Sequence, residues 1–191
     1  MVTFTIIAGV NGSGKTTISN KLKSSIDLGF TINADFIAKE IGNEKDTKVQ
    51  IEAGKKAFKL IEECIERKTD FNFESTFSGL GIFEIIKKAK RIGFKISIIY
   101  IAIDKELSKE RIKNRVIKGG HEIQNDIIER RYPKSINNFN RYFKLFDDIL
   151  FFENNKSEHN LLLSIKDKKL EFISTNTPKW IIDKFDIFKY Y

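Results

Sequence analysis

The chain has almost no cysteine and no long apolar run. Its single cysteine, Cys64, lies on the apolar side of a helical pattern, which favours a buried structural thiol over a nucleophile or a metal ligand. No apolar run approaches the length of a membrane span, so no membrane-spanning helix is expected. Residues 1 to 8 are typical of a core strand rather than a signal peptide. We therefore expect a cytoplasmic protein.

Internal repeats and low-complexity linkers are also absent, and so is a base-reading motif. The 191 residues are therefore expected to form one domain, 1–191, that buries its own core. The net charge is +8, but its 27 lysines are spread over the whole chain and are typical of a solvated surface, which makes nucleic acid an unlikely partner. Five of the seven arginines lie between positions 111 and 141. The planar guanidinium group of arginine can donate two parallel hydrogen bonds to a phosphate group.

The clearest motif is a phosphate-binding loop. Residues 9 to 16 read Gly-Val-Asn-Gly-Ser-Gly-Lys-Thr, after a β-branched apolar strand and before a helical pattern. Its glycines allow the tight turn that aims backbone N–H groups at phosphate oxygens. Lys15 adds a positive charge for the β- and γ-phosphates, and the Thr16 hydroxyl is placed to bind Mg²⁺. The loop predicts ATP and Mg²⁺ as cofactors.

Asp35 follows a short second strand, predicted at Phe30 to Asn33. Ligands of open parallel sheets bind beyond the carboxyl ends of the strands, so Asp35 is expected to face the phosphate loop. One interpretation makes it the catalytic base for an acceptor hydroxyl, and the other makes it the N-cap of the helix that follows. Phosphoryl transfer to a hydroxyl commonly uses such a carboxylate, which favours the base.

A polar cluster ends the third strand, which Phe71 and Phe73 mark. Glu74, Thr76 and Ser78 belong to this cluster. A carboxylate here can hold a Mg²⁺-bound water or a substrate hydroxyl, while the alternative is a polar strand exit that caps the next helix. We predict that Glu74 contributes to both the metal and the acceptor.

Two arginine-bearing helices predict a lid over residues 111 to 141. Arg111 and Arg115 lie four apart on one helix, a glycine pair ends it, and Arg131 lies on the next helix. Such a lid supplies charge to the transferring phosphoryl group and excludes water. The alternative is ion pairing at the surface. His121, in the predicted hinge, is a candidate for substrate contact, although a loop histidine is more often a hinge or capping residue.

These patterns together predict an α/β protein with the P-loop fold of nucleotide kinases. We expect about five strands in a mainly parallel sheet flanked by helices, then a helical lid and a C-terminal β-hairpin plus helix over about 160–191. The expected strands are residues 2–8, 30–33, 70–76, 94–103 and one within 144–152.

Five segments in this order resemble the zeta toxin family, in its short zeta-like ATPase branch, over roughly residues 2 to 155. The segments are residues 8–17, 33–35, 74–79, 115–121 and 130–132 with Ser135 and Asn138. The resemblance implies ATP-dependent phosphorylation of a sugar hydroxyl of UDP-N-acetylglucosamine, and an antitoxin protein as a candidate partner. It implies that Asp35 is the base, that Glu74 and Thr76 touch the acceptor, and that Arg115 and Arg131 act on the phosphates. The ATP-binding set is Gly9, Asn11, Gly12, Ser13, Gly14, Lys15, Thr16, Thr17, Arg115 and Arg131, and the substrate set is Asp35, Glu74, Thr76, Ser78 and His121.

The chain departs from the family pattern at two positions. Ser78 stands where the best-known toxins have arginine, and Gln124 stands where the zeta-like pattern has proline. The acceptor is therefore open between a nucleotide sugar and another small hydroxyl compound. Two further functions also stay open, a P-loop ATPase that acts as a regulatory switch and a kinase of nucleic-acid ends.

Overall fold

The computed structural model describes residues 1–44, 46–117, 119, 123–155 and 158–191. Its strands are β1 (Thr3–Ala8), β2 (Phe30–Asn33), β3 (Phe71–Ser75), β4 (Lys95–Ala102), β5 (Asp148–Glu153), β6 (Asn160–Lys166) and β7 (Lys169–Ile173). Its α-helices are α1 (Lys15–Leu22), α2 (Ala34–Ile41), α3 (Thr47–Arg67), α4 (Gly81–Arg91), α5 (Lys105–Ile117), α6 (Asn125–Tyr142), α7 (Lys179–Lys184) and α8 (Ile187–Tyr190). A 3₁₀ turn, Phe143–Leu145, follows α6.

One sheet of seven strands forms the centre, in the order β2-β3-β1-β4-β5-β6-β7. The first five strands are parallel, and β5, β6 and β7 pair antiparallel. The central strand β1 is buried almost throughout, as its continuous β-branched and aromatic run requires. Asn33 of β2 lies beside Glu74 of β3, and Glu74 lies beside Ile7 of β1. The ends of β1, β2 and β3 therefore meet at one edge of the sheet.

The core lies on both faces of the sheet and is larger on one. The larger cluster contains the apolar faces of α3, α4 and α6 together with an aromatic group, whose members are Phe77, Phe83, Tyr100, Phe139, Phe151 and Phe185. The smaller cluster packs Ile18 of α1 against Ile7, Ile99 and Ile101 of the central strands. Cys64 is buried in the larger cluster, as the helical pattern predicted.

The fold class predicted from the sequence is confirmed, and three details are new. The C-terminal hairpin does not stand apart, because β6 continues the parallel sheet through β5. The single C-terminal helix expected from the sequence is instead two short helices, α7 and α8. The second half of α6 packs into the larger core cluster through Tyr132, Ile136 and Phe139. The part of the predicted lid that lies outside this cluster therefore ends near Arg131.

Pro133 lies inside α6, one residue after the buried Tyr132. The Tyr132 hydroxyl donates to the carbonyl oxygen of Ile103, at 2.9 Å, and the Tyr100 and Ser135 hydroxyls bond each other at 3.0 Å. These bonds fix α6 to the end of β4. In the part of the chain that the structure describes, no helix combines the length and the apolar character needed to cross a bilayer.

Candidate functional site

The loop between β1 and α1 has the conformation that its glycines predict. Gly9 has φ +148° and Gly14 has φ +90°, a region that residues with a Cβ rarely adopt. A Cβ on Gly9 would lie 2.5 Å from the carbonyl oxygen of Ile101, and one on Gly14 would lie 2.6 Å from Nδ2 of Asn154. The loop is therefore held against β4 and against the end of β5, with space for hydrogen atoms only.

Side chains from three other segments brace this loop. Asn154 Nδ2 donates to the carbonyl oxygen of Ser13 at 2.8 Å, and the Ser108 hydroxyl donates to that of Asn11 at 2.7 Å. Nε2 of His159 lies 3.3 Å from the carbonyl oxygen of Gly14. These side chains therefore bind carbonyl oxygens of the loop, and the N–H groups of Gly9 and Ser13 donate to the carbonyl oxygens of Ser75 and Val10. The N–H groups at the start of α1 are the ones that a helix presents to an anion.

Lys15 begins α1 and folds back over the loop. Its Nζ donates to the carbonyl oxygens of Gly9, at 2.9 Å, and Val10, at 3.2 Å. Burial lowers the pKa of the Lys15 ammonium, while Glu74 and Asp35 act in the opposite direction. The Lys15 ammonium is the positive group that attracts phosphate oxygens here, and the two carboxylates keep it protonated.

Thr16 and Glu74 form the strongest candidate for a metal site. The Thr16 hydroxyl donates to Oε2 of Glu74 at 3.0 Å, so a hydroxyl and a carboxylate oxygen lie together beside the phosphate loop. Burial raises the pKa of the Glu74 carboxyl, against the opposing effects of Lys15 and the Thr16 hydroxyl. Hard oxygen donors of this kind fit Mg²⁺, which needs few protein ligands when phosphates complete its shell. Among the described residues, no group of three or more His, Cys, Asp or Glu side chains forms a separate metal site.

Asp35 lies in the first turn of α2, but it is not the cap of that helix. The cap is Asn33, whose Oδ1 accepts from the backbone N–H groups of Asp35, at 2.8 Å, and Phe36, at 3.4 Å. Asn is among the best N-cap residues, and the extended backbone of Asn33 has the geometry that a cap requires. The carboxylate of Asp35 is therefore not needed as the helix cap, and the side chain is exposed.

The segment after β3 is held in a strained conformation. Phe77 has φ +60°, which costs a residue with a side chain roughly 1–2 kcal/mol. Full burial of its ring offsets this cost, and Nδ2 of Asn138 on α6 donates to its carbonyl oxygen at 2.9 Å. On either side of Phe77, the Thr76 and Ser78 hydroxyls bond each other at 2.9 Å. The core thus fixes two hydroxyls next to Glu74.

Three adjoining cavities surround these residues. The phosphate-loop cavity, of about 450 Å³, is lined by Gly12, Gly14, Lys15, Thr16, Thr17, Lys21, Arg111, Arg115, Asn154 and His159, with Asn11, Asp35 and Glu74. The inner cavity, of about 370 Å³, reaches from Lys15 and Glu74 past Thr76 and Ser78 to the ring of Phe58. The outer cavity, of about 540 Å³, lies between the starts of α3 and α6. Asn11 and Asp35 line all three, so Asp35 stands where they meet.

The two arginines chosen from the sequence lie in different cavities. Arg115 lines the phosphate-loop cavity, whereas Arg131 lines the inner and outer ones. Burial lowers the pKa of the Arg131 guanidinium, and the neighbouring Asp35 opposes that shift. Arg130 is exposed and lines none of the three cavities. The lid arginines therefore divide between the two sides of Asp35.

Several residues of the site escaped sequence reasoning. Lys21 lies about one and two-thirds helical turns after Lys15, and in the sequence it does not stand out from the many surface lysines. His159 lies beyond β5, far from any motif. Gly9 and Ser13, both predicted to bind ATP, shape the loop from within rather than lining the cavity, and Ser13 is fully buried. His121 lies outside the described residues.

Comparison with known proteins identifies the family of this chain. The family model described as zeta toxin matches residues 3–168. An uncharacterized protein of Haemophilus influenzae is 38% identical over 125 residues, which are 65% of this chain and 88% of that protein.

Two solved structures show the same fold at low sequence identity. One comes from the PezAT chromosomal toxin–antitoxin system of Streptococcus pneumoniae and has a TM-score of 0.63 at 16% identity. The matched region spans 97% of this chain and 77% of that chain. The other is the AvrRxo1-ORF1:-ORF2 crystal structure with ATP, which has a TM-score of 0.68 at 14% identity. The matched region spans 90% of this chain and 60% of that chain. Since the family model spans most of the chain's length, the chain belongs to the zeta toxin family.

Proposed function

We propose that the protein transfers the γ-phosphate of ATP to a sugar hydroxyl of UDP-N-acetylglucosamine or a related nucleotide sugar. Membership of a family of P-loop kinases supports phosphotransferase activity. The observation that carries the proposal is the place of Asp35, which lines the phosphate-loop cavity and the inner cavity and is relieved of capping by Asn33. A switch that only hydrolyses ATP needs no second cavity beside such a carboxylate.

In this proposal the phosphate-loop cavity binds ATP. Lys15 leaves its two carbonyl partners to contact the β- and γ-phosphates, and Arg115 approaches from α5. Thr16 and Glu74 hold Mg²⁺, which neutralises charge on the phosphate oxygens when it is bound. The braced loop contributes N–H groups in fixed positions, so little reorganisation is needed during transfer.

The inner cavity binds the acceptor. The Thr76 and Ser78 hydroxyls suit hydroxyl groups of a substrate, and the Phe58 and Phe73 rings form an apolar wall. Asp35 accepts the proton of the reacting hydroxyl, whose oxygen then bonds to the γ-phosphorus as the bond to the β-phosphate oxygen breaks and ADP leaves. Asn11 Oδ1 is buried without a hydrogen-bond donor among the described residues, which is consistent with a contact to the acceptor.

The biological setting belongs to the proposal as well. A relative of this fold comes from a toxin–antitoxin system, and we propose that this chain also has an antitoxin partner and acts in the cytoplasm on a cell-wall precursor. Co-purification with the product of a neighbouring gene would support a partner, and full activity without growth arrest on expression would count against a toxin.

The proposed reaction is tested by incubating the purified protein with Mg-ATP and UDP-N-acetylglucosamine. Phosphorus NMR and mass spectrometry then follow formation of ADP and of a nucleotide sugar that carries one more phosphoryl group. Lys15→Ala is the negative control. ADP formed with inorganic phosphate alone, for every nucleotide sugar supplied, would contradict the proposal and favour the regulatory ATPase.

A further inference from the structure

The connector between β5 and β6 contacts the phosphate loop at two successive carbonyl groups. Asn154 Nδ2 donates to the carbonyl oxygen of Ser13 at 2.8 Å, and Nε2 of His159 lies 3.3 Å from the carbonyl oxygen of Gly14. A Cβ on Gly14 would lie only 2.9 Å from the same Nε2 atom. Asn154 and His159 also line the phosphate-loop cavity. The connector therefore meets the loop where α1 begins, beside the space for a ligand.

Each of these contacts fixes the direction of a backbone N–H group. The peptide bonds here are trans, and the C=O and N–H groups of a planar trans peptide point in opposite directions. A donor that holds the carbonyl oxygen of Ser13 therefore aims the N–H group of Gly14 away from Asn154. In the same way, His159 aims the N–H group of Lys15. Both N–H groups lie at the start of α1, where a helix binds anions.

The surroundings of the His159 ring favour one tautomer. Nε2 faces the carbonyl oxygen of Gly14, which can only accept, while Nδ1 is buried and has no hydrogen-bond partner among the described residues. Asn154 Nδ2 also lies 3.3 Å from Nε2, but its shorter contact is with the carbonyl oxygen of Ser13. A hydrogen on Nδ1 would be a buried donor without an acceptor, which is costly. The hydrogen therefore lies on Nε2 and is donated to Gly14.

The ring of His159 is neutral at neutral pH. Burial lowers the pKa of His159, and the positive charges of Lys21 on α1 and Arg111 on α5 lower it further, while the bond to Gly14 opposes the shift. A neutral imidazole donates through one nitrogen only. The position of that single hydrogen therefore decides whether the ring can hold the loop.

The contact from His159 gains importance when ATP is bound. Lys15 Nζ donates to the carbonyl oxygens of Gly9 and Val10, and in the proposed reaction it leaves both to contact the phosphates. The loop then loses two internal bonds, whereas the bonds from the β5–β6 connector do not involve the Lys15 side chain. A glycine-rich segment has much conformational freedom to lose, so side chains that hold it in place beforehand lower the cost of binding.

We propose that His159 is a positioning residue for ATP. Its Nε2–H group holds the peptide between Gly14 and Lys15 so that the N–H group of Lys15 faces the phosphates. His159 acts through the loop and neither donates nor accepts a proton in the reaction. This inference rests on the proposed function only for the binding of ATP in the phosphate-loop cavity, and it holds for any acceptor.

Two substitutions of His159 separate its hydrogen bond from its bulk. Glutamine places an amide nitrogen as far along the side chain as Nε2 of histidine, whereas the amide nitrogen of asparagine is one bond short. In calorimetry, His159→Gln should keep the affinity for Mg-ATP within about 2-fold, and His159→Asn should lower it about 3- to 10-fold. Glu158→Gln, at the exposed neighbouring position, is the matched control and should bind Mg-ATP as the wild type does.

Nitrogen NMR of the wild type tests the tautomer without a substitution. The chain has two histidines, so the ring signals that His159→Gln removes are those of His159. We expect a neutral ring with its hydrogen on Nε2, both in the free protein and with a non-hydrolysable ATP analogue. A hydrogen on Nδ1 would overturn the inference, and this result does not depend on the folding of any variant.

The binding data separate this inference from the proposed reaction. A loss of ATP affinity in His159→Asn that His159→Gln avoids would support the inference even if no nucleotide sugar is phosphorylated. Wild-type affinity in His159→Asn would overturn it, and so would equal losses in the two variants, because the hydrogen bond would then not be the cause. Neither of these two results would affect transfer by the wild type, which is measured separately.

Discussion

Replacement of Asp35 by asparagine separates catalysis from stability at one position. Asn33 supplies the helix cap, and the exposed Asp35 side chain fills no space in the core, so the free energy of unfolding should change by less than about 0.5 kcal/mol. A lost general base lowers the rate of transfer on the order of 100- to 10,000-fold. That loss corresponds to about 2.7–5.4 kcal/mol in the activation free energy, so the two effects differ clearly in size.

Asn33→Ala is the matched control for this experiment. It removes the bonds to the N–H groups of Asp35 and Phe36 and the bond to the Glu74 carboxylate, which should cost about 1 kcal/mol or more of stability, yet it keeps the carboxylate of Asp35. Thermal unfolding, phosphoryl transfer and ATP binding are measured on both variants. Asp35→Asn with wild-type transfer would refute the role of base, and Glu74 would be the next candidate. Asn33→Ala with the larger loss of transfer would show that the position of α2 matters more than the carboxylate.

Three further variants test neighbouring parts of the site. Lys15→Ala should greatly weaken Mg-ATP binding in calorimetry, while Lys23→Ala, on the surface one residue after α1, should not; equal affinities would remove the nucleotide assignment. Glu74→Gln should abolish transfer and raise the melting temperature at neutral pH. Burial raises the pKa of Glu74 in the folded protein, so the ionised side chain lowers the stability of the wild type at neutral pH. The gain in melting temperature of Glu74→Gln should vanish below about pH 4, because Glu74 is then protonated in both the folded and the unfolded chain. A gain that persists in acid would contradict this cause. Asn138→Ala should cost about 1–3 kcal/mol in chemical denaturation, because it leaves the buried Phe77 carbonyl without its donor, and should raise KM for the acceptor more than for ATP; an unchanged acceptor KM would mean that the segment around Phe77 does not position the substrate.

The sequence predicts those parts of the molecule that depend on local patterns. Strand β2 has the bounds expected from Phe30 to Asn33, and the phosphate loop has the left-handed glycines that its motif implies. Both follow from short-range chemistry, since β-branched runs fill buried strands and glycine alone tolerates positive φ. The C-terminal hairpin was predicted for the same reason.

Contacts between distant segments could not be predicted in this way. The choice of Asn33 over Asp35 as helix cap depends on one backbone geometry, because both residue types cap well. The brace from His159 to the phosphate loop joins residues 145 positions apart, and no sequence spacing encodes it. Likewise, Arg115 and Arg131 look alike in sequence but fall on opposite sides of Asp35 once α5 and α6 are packed.

The most direct test of the account asks where the γ-phosphate of ATP goes. The protein is incubated with γ-labelled Mg-ATP and a small-molecule extract of bacterial cells, and the labelled products are separated and identified by mass spectrometry. We expect the label in one nucleotide-linked sugar that gains a single phosphoryl group, and no such product with Lys15→Ala or Asp35→Asn. Label that appears only as inorganic phosphate, at the same rate with and without the extract, would contradict the central claim.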